Sequence, residues 1–363
     1  MRSKEHSHIG PREIVRRGAM VLTADQALHY DQLNQFGMDL SPIVEAMDGA
    51  LVGPALGNLG TPAQFLQTWL PGIVRQVTKV RKIDELVGVS TIGSWEDEEV
   101  VQVASQLTGK PELYGDITNV PLANYDATYE RRSIVRFEQG FMVGRLEDAR
   151  AAKANLNMAA EKRAATALAL DIVRNRVGFY GFNQPDTRVF GFLNDPNLPA
   201  YVNVAAGVGG TTWATKTYLE ITADIRAWHL ALVNRSGGNI RVGRGGDQIT
   251  MALPLGFEEY LGVTSDFGNS VGQWLETTYP TTRVVTAPEL VGANGGANVA
   301  YLYAESVDDG STDDGRVFMQ NVPARFVALG TEQRAKGYLE DFTNALGGIM
   351  LKRPWAVYRA SAI

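Results

Sequence analysis

A stretch of 33 residues between Gly144 and Gly178 contains neither glycine nor proline, and it constrains the fold more than any other part of the chain. Ten of these residues are alanine, the best helix former, so we predict one helix over 145–177, roughly 50 Å long. Apolar and small residues recur along this helix at spacings that are multiples of three and four, and they mark one face: Leu146, Ala149, Leu156, Ala160, Ala164, Leu168 and Ile172. A narrow stripe of mostly small side chains suits close packing on a flat sheet or on a neighbouring subunit.

Other segments predict a mixture of strands and helices around this long helix. Residues 88–135 have β-type composition on both sides of a turn-rich stretch, which predicts a long two-stranded excursion. A strand through Val135 and Phe137 is then predicted to lead from the excursion back to the rest of the domain. A second helix is predicted over 217–235, with a capping box at its start and Gly237 at its C′ position. Residues 61–87 also look helical, and 347–363 reads as a strand with Pro354 at an edge or a bulge.

The composition excludes several classes of protein. The chain has 363 residues and no cysteine, which excludes disulfides, cysteine-ligated zinc and thiol nucleophiles. No apolar run approaches the roughly 18 residues expected of a membrane span. The net charge of −6 has the opposite sign to that of proteins that bind nucleic acid over a broad surface.

The densest run of acid in the chain lies in "GSWEDEEVVQV", residues 93–103, where four consecutive carboxylates follow Trp95. In a strand, Glu96 and Glu98 would face one side, and Asp97 and Glu99 the other. Catalysis by two carboxylates needs environments that separate their pKa values, whereas adjacent acids beside a turn share one solvent environment. We therefore predict a solvated or subunit-facing charge cluster rather than a catalytic or metal site.

The other candidate sites lack necessary partners. Ser270 lies in a G-x-S-x-G sequence, but the hydrolase order requires a histidine after the serine, and the last histidine is His229. We predict that His229 is a satisfied core residue. The acidic segment "VDDGSTDDG", 307–315, departs from the calcium-loop spacing and is predicted to be a solvated hairpin tip. We therefore predict no catalytic, cofactor-binding or metal-binding residue and no enzymatic activity.

Four stretches in a fixed order resemble a known family: "TIGSWEDEEVVQV", "RNRVGFYG", "VFGFLNDPNLP" and "GGIMLKRPWAVYRA". Together they are similar to the major capsid proteins of tailed bacteriophages, which have the α+β Hong Kong 97-type fold. The resemblance covers roughly residues 85–363. Residues 1–80 match the family only in their role.

The resemblance implies a division of the chain into named regions. These are an N-terminal arm at 1–80, an extended-loop region at 81–135, a peripheral domain at 136–238 and 336–363 with its spine helix at 145–177, and an axial domain at 239–335. The extended loop of such proteins lies over an adjacent subunit. We therefore expect subunit contacts from Trp95, Glu96, Asp97, Glu98, Glu99 and Lys110. Some members crosslink a lysine of this loop to an asparagine, and Lys110 and Asn344 are the corresponding candidates.

The resemblance also implies a function. The chain is expected to form hexamers and pentamers in an icosahedral head, assembled in the host cytoplasm, that encloses double-stranded DNA. Implied partners are a portal vertex, a decoration or scaffolding protein, and DNA held weakly and without sequence specificity; no membrane is involved. Three alternatives remain: an encapsulin-like nanocompartment shell, a serine hydrolase using Ser270, and a tail tube or sheath protein.

Overall fold

The structure, a computed structural model, describes residues 14–17, 20–23, 78–116, 120–153, 157–184 and 187–363. Its strands are β1 Ile14–Arg17, β2 Met20–Thr23, β3 Glu99–Thr108, β4 Asn124–Ser133, β5 Val135–Gly144, β6 Val202–Asn203, β7 Ile249–Pro254, β8 Thr282–Ala287, β9 Val299–Ala304, β10 Phe318–Gln320, β11 Ala324–Arg334, β12 Gly337–Leu346, β13 Ile349–Leu351 and β14 Val357–Ser361. Its α-helices are α1 Ile83–Val87, α2 Arg145–Lys153, α3 Met158–Tyr180, α4 Tyr218–Arg235 and α5 Val271–Thr278. Strands β1 and β2 pair with each other as an antiparallel hairpin.

A three-stranded antiparallel sheet, in the order β11-β12-β5, carries the long helix α3 on one face. Alternate residues of β5 face the helix, so Phe141 and Val143 form a small core with Phe342 of β12 and Leu170 of α3. The period of two in β5 produces this one-sided burial.

A five-stranded sheet, in the order β6-β14-β9-β7-β8, holds the main core. Every residue of β7 and β9 is buried, which matches their nearly continuous apolar sequences. Helix α4 contacts this sheet and buries Ile221, Ile225 and Trp228. The sheet and the helix together form a layered α+β unit.

The prediction of a single helix over 145–177 is wrong. Asn157 leaves the helical conformation, with φ −94° and ψ 83°, and its side chain accepts a hydrogen bond from the Ala160 amide. Asparagine competes with the helix backbone in this way and favours an N-cap position. The chain therefore forms α2 and α3, and α3 is about 35 Å long.

Most of the predicted stripe does not pack on the sheet of its own chain, so that alternative is wrong, and packing on a neighbouring subunit stays a prediction. Leu146 is 64 % exposed, and Ala160 and Ala164 are exposed as well. The residues that face the sheet lie on another side of the helix and include Leu170 and Val177. Alanine occurs all around this helix, so periodicity did not identify the side that packs.

The second predicted helix is confirmed as α4. The Glu220 carboxylate accepts hydrogen bonds from the Thr217 amide and hydroxyl, as expected of the capping box. Gly237 adopts φ +61°, and the amides of Gly237 and Gly238 bond back to Asn234 and Val233 as in a Schellman motif. Of the helix predicted over 61–87, only α1 is present in the described residues, because 78–82 are not helical and the prediction is wrong there; residues 61–77 lie outside the described residues. None of the helices in the described residues combines the length and apolarity needed to cross a membrane.

The C-terminal region differs from the single strand predicted for 347–363. Pro354 begins a short 3-10 helix, Pro354–Ala356, which separates β13 from β14. Strand β14 then lies inside the five-stranded sheet, between β6 and β9. Strand pairing crosses the ranges predicted for the two domains: β6 and β14, from the peripheral ranges, lie in one sheet with β7, β8 and β9, and β11, from the axial range, pairs with β12.

The acidic segment 307–315 is bound to a buried arginine and is not simply solvated as predicted. The Arg353 side chain is 6 % exposed and makes paired hydrogen bonds to Asp309, at 2.7 and 3.0 Å, and to Asp313, at 2.7 and 3.2 Å. Lys352 adds contacts to Asp313 and Asp314. Planar two-pronged pairs of this kind are the strong form of the arginine–carboxylate contact. We call this group the acid clasp.

Lowering the pH is expected to open the acid clasp. Hydrogen bonds from Arg353 hold the pKa of Asp309 well below its usual range and lower that of Asp313 to about 2. Lowered folded-state pKa values stabilise the fold fully above the ordinary value of about 3.9, and this stability is lost as the pH falls through the folded values. Denaturant midpoints should therefore fall between about pH 4 and pH 2, and fall less in an Asp309→Asn, Asp313→Asn double variant. Equal declines in the two proteins would contradict this prediction.

Candidate subunit interface

The predicted two-stranded excursion is present as a long hairpin of β3 and β4. The two strands pair from Glu99 opposite Ser133 to Thr108 opposite Asn124. Ten residues of strand span about 33 Å. Within the described residues no other strand pairs with the hairpin. Beyond its paired region, Leu113, Tyr114 and Leu122 are all at least 88 % exposed.

The two faces of this hairpin differ in chemistry. Directly opposite residues of an antiparallel pair share a face. The register therefore places four exposed apolar side chains on one face: Val101, Val103, Tyr125 and Tyr129, which are 47 %, 51 %, 64 % and 63 % exposed. Glu99 and Arg131 lie on the same face near the base, and Ser105 lies between the two tyrosines. The other face is mostly polar and includes Gln102, Gln106, Asp126, Thr128 and Glu130, beside Val100 and Ala104. We call the first set the apolar face of the hairpin.

An isolated two-stranded hairpin in water is marginally stable at best. The described part of the chain leaves the four apolar side chains of this hairpin about half exposed or more. Contiguous exposed apolar surface of this kind marks a site of protein–protein contact. The apolar face is therefore the best candidate for a functional site in the described residues.

A buried ion pair fixes the outgoing limb of the hairpin to the body. Arg132, near the end of β4, is 3 % exposed and lies 3.0 Å from the carboxylate of Asp195, which is fully buried. Its guanidinium also lies 4.9 Å above the Phe190 ring. The Asp195 carboxylate accepts a further hydrogen bond from the Leu351 amide. The hairpin is thus anchored to the segment that follows α3 and to β13.

The acid run lies at the root of the hairpin, mostly before the strand begins. Trp95 and Glu96 form a turn, and β3 begins only at Glu99. Asp97 is half-buried, and its carboxylate accepts a hydrogen bond of 2.8 Å from the Ser94 amide. The four carboxylates therefore have different surroundings, because one of them stabilises the turn.

The remaining acids of the run are exposed. Glu99 lies 3.9 Å from Arg131 across the hairpin, an exposed pair of a kind that contributes at most about 1 kcal/mol. Glu96 and Glu98 are exposed, and the described residues show no ion pair for either of them. Lys110, at the start of the hairpin tip, is exposed as well.

The position of Asn344 contradicts a crosslink to Lys110. The Asn344 side chain is fully buried in β12, where it accepts from the Phe137 amide and donates to the Leu170 carbonyl. A side chain enclosed between the sheet and α3 is out of reach of a lysine from another subunit. A crosslink between Lys110 and Asn344 is therefore not expected.

The structure gives Ser270 a structural role. Its hydroxyl accepts a hydrogen bond from the Gln273 amide, and the Gln273 side chain accepts from the Ser270 amide, which completes a capping box at the start of α5. His229 is buried as predicted, donates from Nδ1 to the Ile225 carbonyl, and stacks on Tyr279 at 3.9 Å. Burial lowers the pKa of His229. Neither side chain is placed as a nucleophile or a base.

Replacing Ser270 with alanine is expected to lower the free energy of unfolding by about 1 kcal/mol, because the first turn of α5 loses its N-cap. Aspartate at this position should restore most of that stability, since its carboxylate also accepts from the helix amides. Denaturant unfolding of the dispersed protein measures both changes. Unchanged stability in Ser270→Ala would show that the cap contributes nothing, and a Ser270→Asp variant as unstable as Ser270→Ala would show that the loss has another cause.

Two important residues were missed by the sequence reasoning. Arg132 and Arg136 flank the bend at Ile134, and both hold the base of the hairpin. Arg136 donates to the carbonyls of Trp95 and Asp97, each at 2.7 Å. Their spacing in "ERRSIVRFE" could have suggested a charged junction, but their partners are distant in sequence. Among the described residues, no group of three or more histidine, aspartate or glutamate side chains is arranged to hold a metal ion.

Comparisons with known proteins agree with this architecture. A family model described as the Pa193 gp26 major capsid protein matches residues 54–362. A search of curated proteins finds no significant match.

Solved structures share the fold. The capsid of Myoviridae phage XM1 has a TM-score of 0.66 and 16 % identity, over 84 % of this chain and 99 % of that chain. The capsid of cyanophage P-SCSP1u has a TM-score of 0.53 and 12 % identity, over 86 % of this chain and 99 % of that chain. The capsid of the native GTA particle has a TM-score of 0.51 and 10 % identity, over 88 % and 97 %.

Proposed function

Because the chain belongs to the Pa193 gp26 major capsid protein family and has the Hong Kong 97-type fold of tailed-phage capsids, we propose that it assembles as hexamers and pentamers into a closed icosahedral head. It is a major capsid protein of a tailed phage and a component of the virion capsid. The family and fold predicted from the sequence are thereby confirmed. The family and the fold support a capsid subunit, and we add the proposal that hexamers and pentamers of this subunit close the shell.

The apolar face of the hairpin is the observation that carries this proposal. A chain that remained alone would expose Val101, Val103, Tyr125 and Tyr129 to water. An adjacent copy that covers them removes apolar surface from water at about 25 cal/mol per Å². The occupant of this face is therefore a second copy of the chain, which lies beneath the hairpin.

The two sheets support an assignment of the capsid domains. We assign the three-stranded sheet and α3 to the peripheral domain, and the five-stranded sheet with α4 and α5 to the axial domain. This division follows strand pairing, so it places β11 in the peripheral domain and β14 in the axial domain. Residues 1–80 are assigned to the N-terminal arm, and the hairpin is the extended loop.

The acid run and Lys110 are assigned to contacts between subunits. Glu96 and Glu98 are exposed and face basic residues of the adjacent copy, while Trp95 anchors the root of the hairpin. Each exposed pair contributes little, but repetition in every copy lets such pairs set register and salt dependence.

The remaining partners follow from the role of a head. The shell encloses double-stranded DNA, joins a portal at one vertex, and assembles in the host cytoplasm, with a scaffolding or decoration protein as a further partner. The net charge of −6 supports weak, non-specific contact with DNA, because a genome that must leave is not held tightly.

Electron microscopy of the purified chain tests this proposal. Closed isometric particles are expected, and particles from infected cells should contain the genome. Shells filled with an enzyme cargo would favour the nanocompartment alternative, and tubes would favour a tail protein. A dispersed monomer that forms no particle under any assembly condition would overturn the proposal.

A further inference from the structure

The hairpin leaves the body at a bend between β4 and β5, and an arginine holds it on each side of that bend. Arg132 precedes the bend and Arg136 follows it, with the buried Ile134 between them. The Ile134 amide donates to the Glu98 carbonyl at 2.8 Å, so the incoming and outgoing limbs meet here. The two arginines have different surroundings, and this difference suggests different roles.

Arg132 is built as a fixed point. Its ion pair with Asp195 is almost completely buried, and removal of one partner would leave an uncompensated charge in the interior. Asp195 is itself held by the amides of Asn197 and Leu351. Breaking this contact is costly, so Arg132 is the more firmly held of the two arginines.

Arg136 is built as a contact that can open and close. Its side chain is exposed, and it reaches across from β5 to the turn of the incoming limb. It donates from Nε to the Trp95 carbonyl and from a terminal nitrogen to the Asp97 carbonyl, while its guanidinium lies 5.5 Å from the centre of the Trp95 ring. Water can replace these bonds when they open, because all the groups involved are near solvent.

We propose that Arg136 is a latch that sets the angle between the hairpin and the three-stranded sheet. Closed on Trp95 and Asp97, it holds the incoming limb against β5. Open, it lets the hairpin turn about the Arg132–Asp195 pair. One sequence can then present the apolar face at the different angles that hexamers and pentamers require. This inference rests on the proposed assembly for its purpose, but the latch itself is a property of the single chain.

Hydrogen exchange on the dispersed full-length chain tests the latch without any need for assembly. In an Arg136→Ala variant, exchange of the amides of Ser94, Asp97 and Ile134 should accelerate about tenfold or more, because the turn and limb lose their support. Amides of the β5–β12 ladder should be unchanged. An Arg136→Lys variant should resemble Arg136→Ala, since a lysine lacks the planar fork that reaches two carbonyls.

Arg131→Ala is the matched control. Arg131 is an exposed arginine nearby on β4, and its side chain lies 3.9 Å from Glu99 in an exposed ion pair. Its removal should leave exchange at the turn unchanged. Equal exchange in Arg136→Ala and the unaltered chain, or an equal acceleration in Arg131→Ala, would overturn the latch.

Particle size tests the role of the latch in a shell. Arg136→Ala is expected to broaden the distribution of particle diameters, or to shift it towards open sheets and tubes. Faster exchange at the turn with an unchanged diameter distribution would overturn the claim that the latch sets the angle. Failure of the unaltered chain to form particles would instead overturn the proposed function, and the exchange result would still decide the latch.

Discussion

Replacing Val103 with glutamate is expected to raise the protein concentration needed for assembly by about 100-fold or more. Val103 lies in the middle of the apolar face, opposite Tyr129, and is 51 % exposed in the single chain. The fold of the subunit should therefore be unaffected, because substitutions at exposed positions usually change stability by about 0.5 kcal/mol or less. In the assembled shell the carboxylate would be buried against the adjacent copy without a partner. A 100-fold change corresponds to about 2.7 kcal/mol.

The neighbouring position provides a matched control. Ala104 is also exposed and lies one residue further along β3, so its side chain points to the polar face. Ala104→Glu adds the same charge at the same distance from the base. Light scattering against protein concentration should show a large shift for Val103→Glu and a small one for Ala104→Glu. Equal shifts would mean that net charge, and not the apolar face, controls assembly.

The hairpin could be predicted from the sequence because its signals are local. Two segments of β-type composition flank a turn-rich stretch, and a two-stranded pairing needs no information from elsewhere in the chain. Helix α4 was predictable for the same reason, since its capping box and Gly237 lie within or next to it. The apolar face was missed because its identification requires the register between the strands.

The long helix shows where local reasoning fails. Alanine favours a helix through the whole region 145–177, and propensity alone does not reveal that Asn157 caps the start of a separate helix. The packed face was also unpredictable, since small residues occur on every side. Tertiary contacts with β5 and β12 decide which side is covered.

The base of the hairpin depends on contacts between distant residues. Arg132 forms an ion pair with Asp195, more than sixty positions later in the sequence. Arg136 donates a hydrogen bond to the turn at Trp95, about forty positions earlier. The domain division has the same origin, because β14 pairs with β9 in the five-stranded sheet. A single sequence does not specify such pairings, so the strand order was available only from the structure.

The segment "VFGFLNDPNLP", which contributes to the family resemblance, contains Phe192, which contacts four aromatic rings of the main core. Phe192 is fully buried. Its ring lies 4.5 Å from Tyr301, 5.0 Å from Phe318, 5.9 Å from Tyr303 and 6.1 Å from Phe179, measured between ring centres. It thereby joins the end of α3 to β9 and β10. Aromatic pairs in this distance range add to the stabilisation that burial alone provides.

Phe192→Ala is therefore expected to lower the free energy of unfolding by about 3–5 kcal/mol, because it leaves a cavity that four aromatic rings cannot all move to fill. The same substitution at Phe267 is the control. Phe267 is 94 % exposed in the turn before α5, and its removal should change the free energy of unfolding by about 0.5 kcal/mol or less. Denaturant unfolding of the dispersed chains measures both. A small loss at Phe192 would mean that the segment after α3 does not hold the sheet and the helix together, and that the family resemblance there has another cause.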